Sequence, residues 1–144
     1  MKTKTIILSI HPQHINKIFS GEKLYEYRKR IPTDIQYFII YATAPIKKIV
    51  AIVEVDSVLK ETPKSLWELT KKHSGVSYDF FMNYFNGTHD AYAIKFRHIY
   101  KLPNHLDISV LDSIKRAPQS YAYINTTFYD LCHKLNLQAP SIIL

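Results

Sequence analysis

Ser20-Gly21-Glu22-Lys23-Leu24-Tyr25-Glu26-Tyr27-Arg28-Lys29-Arg30 is the stretch that decides how this chain is read. It carries the cations Lys23, Arg28, Lys29 and Arg30 and the acids Glu22 and Glu26, interleaved with Tyr25 and Tyr27. Successive side chains of a strand point to opposite faces. An extended run therefore predicts Lys23, Tyr25, Tyr27 and Lys29 on one face, and Leu24, Glu26, Arg28 and Arg30 on the other. With cations on both faces, at least one face must meet water, a counter-charge or an anionic ligand.

The flanks set this strand in a fold. Thr5 to Ile10 is a short β-branched apolar run, the pattern of a buried strand. His11-Pro12 opens a helix, Ile15, Ile18 and Phe19 give it helical spacing, and Gly21 fits its C-terminal cap. Pro32 ends the charged strand, and Gln36 to Ala42 is a strongly apolar strand. Ala44-Pro45 marks a turn, and Ile49 to Leu59 reads as another strand. Thr62 and Pro63 start a helix with an inner stripe of Leu66, Trp67, Leu69 and Thr70. Ser77 caps a second helix through Phe85, stopped by Gly87. Asp90 to Leu102 is a strand, Pro103 to Gln119 gives few signals, and Ser120 to Ile124 is a short strand. Thr126 to Leu135 shows a helical stripe of Phe128, Leu131 and Leu135.

Strand follows strand in the middle without a crossover helix, which argues against a doubly wound parallel sheet. The order predicts one α+β domain over residues 1–144. Its core is a small mixed, largely antiparallel β-barrel with flanking helices.

The chain has 144 residues, 47% of them hydrophobic, enough for a real core. The formal net charge is +7, and it is unevenly spread. Residues 1–72 carry 13 Lys and Arg against 7 Asp and Glu, whereas residues 73–144 carry 6 against 5. A one-sided basic surface favours anionic partners. Cys132, the single cysteine, excludes an internal disulfide and sits in a helical pattern as a buried structural thiol. No apolar run reaches transmembrane length, so no membrane partner is expected, and the location is read as cytoplasmic. The glycines at 21, 75 and 87 cannot build a phosphate loop of either the P-loop or the dinucleotide type, and no cofactor is expected.

The segments Leu8-Ser9-Ile10-His11-Pro12, Ile18-Phe19-Ser20-Gly21-Glu22-Lys23 and Tyr25 to Arg30 together resemble an ASCH domain, a branch of the PUA-like superfamily. So do Ile40-Tyr41-Ala42-Thr43 with Pro45, Lys47 to Val50, Ala91 to Ile94 and Ala117-Pro118-Gln119-Ser120-Tyr121. The G-x-K-x-x-x-x-R element (Gly21, Lys23, Arg28) is the most diagnostic part. The resemblance covers roughly residues 5–124. It implies a β-barrel with a cleft between barrel and helices, floored by the G-x-K strand. It also implies binding of RNA or of a modified nucleobase. Some members hydrolyse acylated cytidines with the lysine of this element, a threonine three residues later and a downstream glutamate. Lys23 matches the lysine, Glu26 stands at the threonine position, and no glutamate stands in Lys71 to Gly75.

Lys23, Glu26 and Arg28 are the main ligand-binding candidates. A carboxylate accepts from an exocyclic amine, while arginine forks onto a phosphate or base edge. The bland alternative is a strand-surface ion pair. Tyr25 and Tyr41 adjoin the basic element and a strand end, where aromatics stack on bases. Arg30, Ser9, His11, Gln119 and Ser120 complete the candidate set; Ser120 lacks a G-x-S-x-G setting and is read as a polar contact. His11 and His14 have H-x-x-H spacing, but no supporting motif supplies further ligands, so no metal is expected. Lys47, Lys48, Lys71 and Lys72 read as a basic rim, and Phe80, Phe81, Tyr84 and Phe85 as core or interface.

The leading reading is a nucleic-acid-binding module for RNA or a modified nucleotide, regulatory in role, with DNA as a further partner. One alternative is an enzyme, either a small nucleoside amidohydrolase or a metal-independent ribonuclease, with Lys23 and Glu26 as catalytic candidates. The other is a protein-interaction adaptor whose basic face serves solubility.

Overall fold

The computed structural model describes residues 4–111, 114–125, 128–134 and 141–142. The elements are β1 (Lys4–Ile10), α1 (Pro12–Ser20), β2 (Tyr25–Arg28), β3 (Ile35–Ala42), β4 (Lys48–Glu61), α2 (Pro63–Thr70), α3 (Tyr78–Tyr84), β5 (Ala91–Leu106), β6 (Tyr121–Ile124), α4 (Phe128–Lys134) and β7 (Ser141–Ile142). Single 3-10 turns cover Lys71–His73 and Ile108–Val110.

The helix ends follow local chemistry. Pro12 enters the first turn of α1, and Gly21 closes it in the left-handed region at φ 85°. The Thr62 side chain accepts from the Ser65 N–H, and the Ser77 side chain accepts from the Phe80 N–H. These caps satisfy donors that a helix start leaves unpaired.

The strands form one mixed sheet in the order β2-β5-β4-β3-β1-β6, with β7 added to β5. β1 runs parallel to β3, from Thr5 opposite Tyr37 to Ile10 opposite Ala42, and the other pairs are antiparallel. The parallel pair is reached by way of α1 and β2, which the chain must traverse between the two strands. The expected α+β class and largely antiparallel sheet are found. The expected barrel is not closed: β2 and β6 stand at opposite ends of the path and do not pair. Just ahead of β2, Lys23 forms an isolated bridge to Ser74.

Both faces of the central strands are buried. Ile6, Leu8, Phe38 and Ile40 pack with Ile15 and Ile18 of α1. Ile7, Ile39, Tyr41 and Ile52 face the other way, toward Leu111 and Leu131. Each such side chain contributes about 1.5–3 kcal/mol of burial. A third cluster joins Tyr27 to Leu66 of α2 and to Phe81 and Phe85 of α3, fixing the two helices over the β2 end of the sheet.

Several boundaries move. β2 is shorter than the charge run, and β5 continues through Pro103 to Leu106. In the expected helix at 126–135, α4 spans Phe128–Lys134, while Thr126 and Leu135 and the Phe128 side chain lie outside the described residues. Cys132 is half-buried rather than fully buried, and desolvation pushes its thiol pKa up. No helix among the described residues is long and apolar enough to cross a membrane.

Candidate functional site

The charge run does not alternate along its whole length. Lys23 precedes β2, its N–H donates to the Lys17 carbonyl at 3.0 Å, and the Leu24 N–H donates to the His73 carbonyl at 2.9 Å. This places the Lys23 Nζ 4.0 Å from Glu26 Oε1. The two side chains therefore converge, where strict alternation had separated them.

Lys23 is only 2% exposed. Its ammonium donates to the Ser74 carbonyl at 3.2 Å and lies 4.7 Å from the centre of the Tyr27 ring. A ring face attracts a cation through its quadrupole. Burial pulls the Lys23 pKa below the ordinary lysine value; Glu26 opposes that shift, and Arg28 and Lys17 add to it. Gly75 makes room for the stem. A Cβ there would sit 2.5 Å from the Lys23 Cβ, and the backbone at φ +70° already suits glycine.

Glu26 is the centre of the arrangement. Its Oε2 accepts from Arg28 Nε at 3.0 Å and lies 2.9 Å from Arg28 Nη2. Arg28 Nη2 also donates to the Ser9 carbonyl at 3.0 Å. The Ser9 hydroxyl donates to the Pro118 carbonyl at 2.7 Å, and the Ser9 N–H points to the Ser120 carbonyl at 3.4 Å. The charge run is thereby linked through the end of β1 to the segment before β6.

These groups floor a cleft of about 430 Å³. One wall is α3, with Phe80 and Tyr84 beside Phe81, and Val76 just before the helix. Ser9 and His11 at the β1–α1 junction, with Gln119 and Ser120, also line the cleft. Phe80 is 47% exposed, so its ring is open to a ligand. His14 faces Phe80, with ring centres 5.5 Å apart. Burial, aided by the Lys23 charge, holds its imidazole pKa below the ordinary value.

Seven sequence-selected residues thus meet in one cleft: Lys23, Glu26, Arg28, Ser9, His11, Gln119 and Ser120. Three do not line it. Tyr25 stacks on Tyr27 with ring centres 6.5 Å apart and packs beneath α2 and α3. Arg30 lies exposed beyond the end of β2. Tyr41 is buried in the core on the sheet face away from α1, because it shares the pleat of Ile39. Sequence reasoning missed Tyr27, His14, Phe80 and Tyr84 as lining residues. The available signal was in α3, where Phe81 and Phe85 make one i,i+4 pair and Phe80 and Tyr84 make the adjacent one. His11 shares a 3.1 Å hydrogen bond with the Thr43 hydroxyl. Among the described residues no group of three His, Cys, Asp or Glu side chains is placed to hold a metal.

The geometry can be set beside known proteins. An ASCH domain-containing ribonuclease from Zymomonas mobilis subsp. mobilis is 29% identical over 96 residues, which cover 65% of each chain. The matched region therefore falls just short of two thirds of that relative. Large ribosomal subunit protein uL22 of Ureaplasma parvum serovar 3 is 28% identical over 124 residues, 85% of this chain and 40% of that one. The fold matches a crystal structure of ASCH from Zymomonas mobilis with a TM-score of 0.79 at 24% identity, covering 95% of this chain and 97% of that one. The ASCH domain family model matches residues 8–100, well over half of the sequence. On that match, this chain belongs to the ASCH domain family.

Proposed function

We propose that this protein binds RNA by admitting one unpaired or modified base into the cleft. The observation that carries the reading is Glu26, a buried carboxylate held between Lys23 and Arg28 in a cleft that Phe80 and Tyr84 also line. Base edges present donors and acceptors side by side, and a carboxylate beside two cationic donors answers both. Aromatic rings at the wall supply stacking, the usual way proteins hold splayed RNA bases. The cleft volume falls in the range of small-ligand sites, roughly 300–1,000 Å³. A phosphate is the poorer fit at the floor, because Glu26 already engages both cations and would repel an anion. The family membership and the two relatives named for a ribonuclease and a ribosomal subunit support an RNA-linked role.

The test is a binding screen of RNA, single- and double-stranded DNA and modified nucleosides against wild type, Lys23→Ala and Arg28→Ala. Each substitution is expected to weaken RNA binding by about 1–3 kcal/mol. Unchanged affinity in the double substitution removes the cleft from the reading. Tighter binding of single-stranded DNA than of RNA reassigns the partner. Affinity that is flat in salt points instead to the adaptor role.

A ribonuclease is the second reading, favoured by the Zymomonas mobilis relative and by the buried Lys23 amine. Glu26, beside Lys23, could accept the 2′-hydroxyl proton as the 2′ oxygen bonds phosphorus. The P–O5′ bond then breaks, and the leaving oxygen takes a proton from the Lys23 ammonium or from water, with Glu26 passing its proton back to Lys23 or to water. Cleavage of labelled RNA by wild type and its loss in Lys23→Ala selects this reading over binding alone.

A further inference from the structure

We infer that the ligand is a single-stranded oligonucleotide rather than a free nucleoside, its backbone leaving the cleft along a basic groove between α1 and the Lys71–Val76 segment. The inference rests on the base-binding reading above and extends it from one base to its neighbours.

The cleft does not end at His14. A second hollow shares His14, Val76 and Phe80 with it and adds Lys17 and Gly75. A third shares Lys17, Gly75 and Val76 with the second and is bordered by Lys71, Lys72 and His73. The three hollows adjoin through these shared residues, with the Lys17 side chain reaching across to Gly75 between the second and the third. Along α1 the contacts step at i, i+3 from His11 through His14 to Lys17, the spacing of one helix face. From His11 to Lys17 the path advances about 9 Å at 1.5 Å per residue. A single nucleoside seated on Glu26 leaves that outer stretch unfilled.

The chemistry changes along the way. The inner floor carries Glu26 between its cations, suited to a neutral base. The outer groove is cationic and exposed. Lys17 bridges the seam, its ammonium donating to the Gly75 carbonyl at 3.1 Å. Lys72 makes no ion pair among the described residues, and Lys71 is paired to Glu68 at 2.8 Å. Glu22, the acid bordering the outer groove, is hydrogen-bonded to the Ser20 hydroxyl at 3.1 Å. Exposed lysines beside an open groove suit phosphates, which need charge without a fixed fork. Duplex fits this path poorly, because a base held on Glu26 must be free of its partner.

The test compares a mixture of the ribonucleoside 5′-monophosphates with mixed-sequence oligoribonucleotides of two to six residues, by competition against a labelled hexamer. Wild type and Lys17→Gln/Lys72→Gln are measured across a salt series. Wild type should bind oligomers progressively more tightly than monophosphates up to three or four residues. The double substitution should cut the oligomer-to-monophosphate affinity ratio about tenfold and flatten the log–log salt slope by about 1.4, since each phosphate contact on a single strand contributes about 0.7. Monophosphates that bind wild type as tightly as hexamers overturn the inference and leave the cleft reading standing. So does a length-dependent gain that survives the double substitution. Failure of both ligand classes to bind overturns the inference and the RNA reading together.

Discussion

Glu26→Gln tests the electrostatic core of the site. The substitution keeps the shape of the side chain and removes its charge. In the native arrangement one carboxylate, 9% exposed, serves Arg28 at 2.9–3.0 Å and Lys23 at 4.0 Å. At 4 Å and an effective dielectric of about 20, one such pair is worth about 4 kcal/mol before desolvation. Arg28 keeps the Ser9 carbonyl and can still use the amide oxygen, and Lys23 keeps the Ser74 carbonyl. The net loss is therefore expected near 3 kcal/mol, at the low end for breaking a buried pair. The substitution also carries a pH signature. Burial already lowers the Lys23 pKa, and Glu26 is what opposes the shift. Without Glu26 the folded-state pKa falls further below the unfolded value. Between those two values the unfolded chain binds the extra proton, so stability rises with pH. The variant should regain part of its loss as pH climbs from neutrality toward the usual lysine value, more steeply than wild type. Urea unfolding followed by circular dichroism at several pH values reads both effects. A loss below about 0.5 kcal/mol, with no added pH dependence, would refute the reasoning, since so small a loss is typical of an exposed pair.

Gly75→Ala forces a Cβ to 2.5 Å from the Lys23 Cβ in a left-handed backbone; a loss of about 2 kcal/mol or more is expected in chemical denaturation, and a neutral result would contradict the described packing. Tyr27→Phe removes the 2.7 Å hydrogen bond to the Thr70 hydroxyl; because Thr70 still donates to the Leu66 carbonyl at 2.8 Å, the cost should be near 1 kcal/mol by thermal melting. Acylated cytidine should not be turned over, because the segment 71–75 offers Lys23 a backbone carbonyl and no carboxylate; product formation abolished by Lys23→Ala would reverse that expectation. Residues 1–144 should unfold in a single transition, and limited proteolysis that releases two stable halves would show otherwise.

Much of this fold is legible in local chemistry. Thr62, Ser77 and Gly21 cap where their side chains and backbone freedom predict, and the apolar runs of β1 and β3 become central strands. Closure was not legible. Whether a sheet closes depends on which edges meet, a matter of long-range pairing such as the bridge from Lys23, just ahead of β2, to Ser74, 51 positions away. The same long-range bridge explains the misjudged side-chain direction. The chain around Lys23 obeys its partner across the sheet edge, so the period-2 rule holds only from Tyr25 onward. Tyr41 misled for the opposite reason: its chemistry suited a base, but strand pleat and sheet position buried it. The aromatic wall was visible as a pattern, yet deciding which pair faced the core required knowing where α3 docks.

The fit of Gly75 against Lys23 bears on how the family can vary. A glycine whose missing side chain is filled by the stem of a lysine far away in sequence is constrained from outside its own segment. Shortening the side chain at 23 does not release that constraint, because any residue but glycine there keeps the Cβ that a Cβ at 75 would meet at 2.5 Å, and the φ of +70° disfavours a side chain at 75 by itself. Among relatives, glycine should therefore persist at 75 even in lineages that have lost the lysine, and a larger residue there should come with a different backbone path ahead of α3.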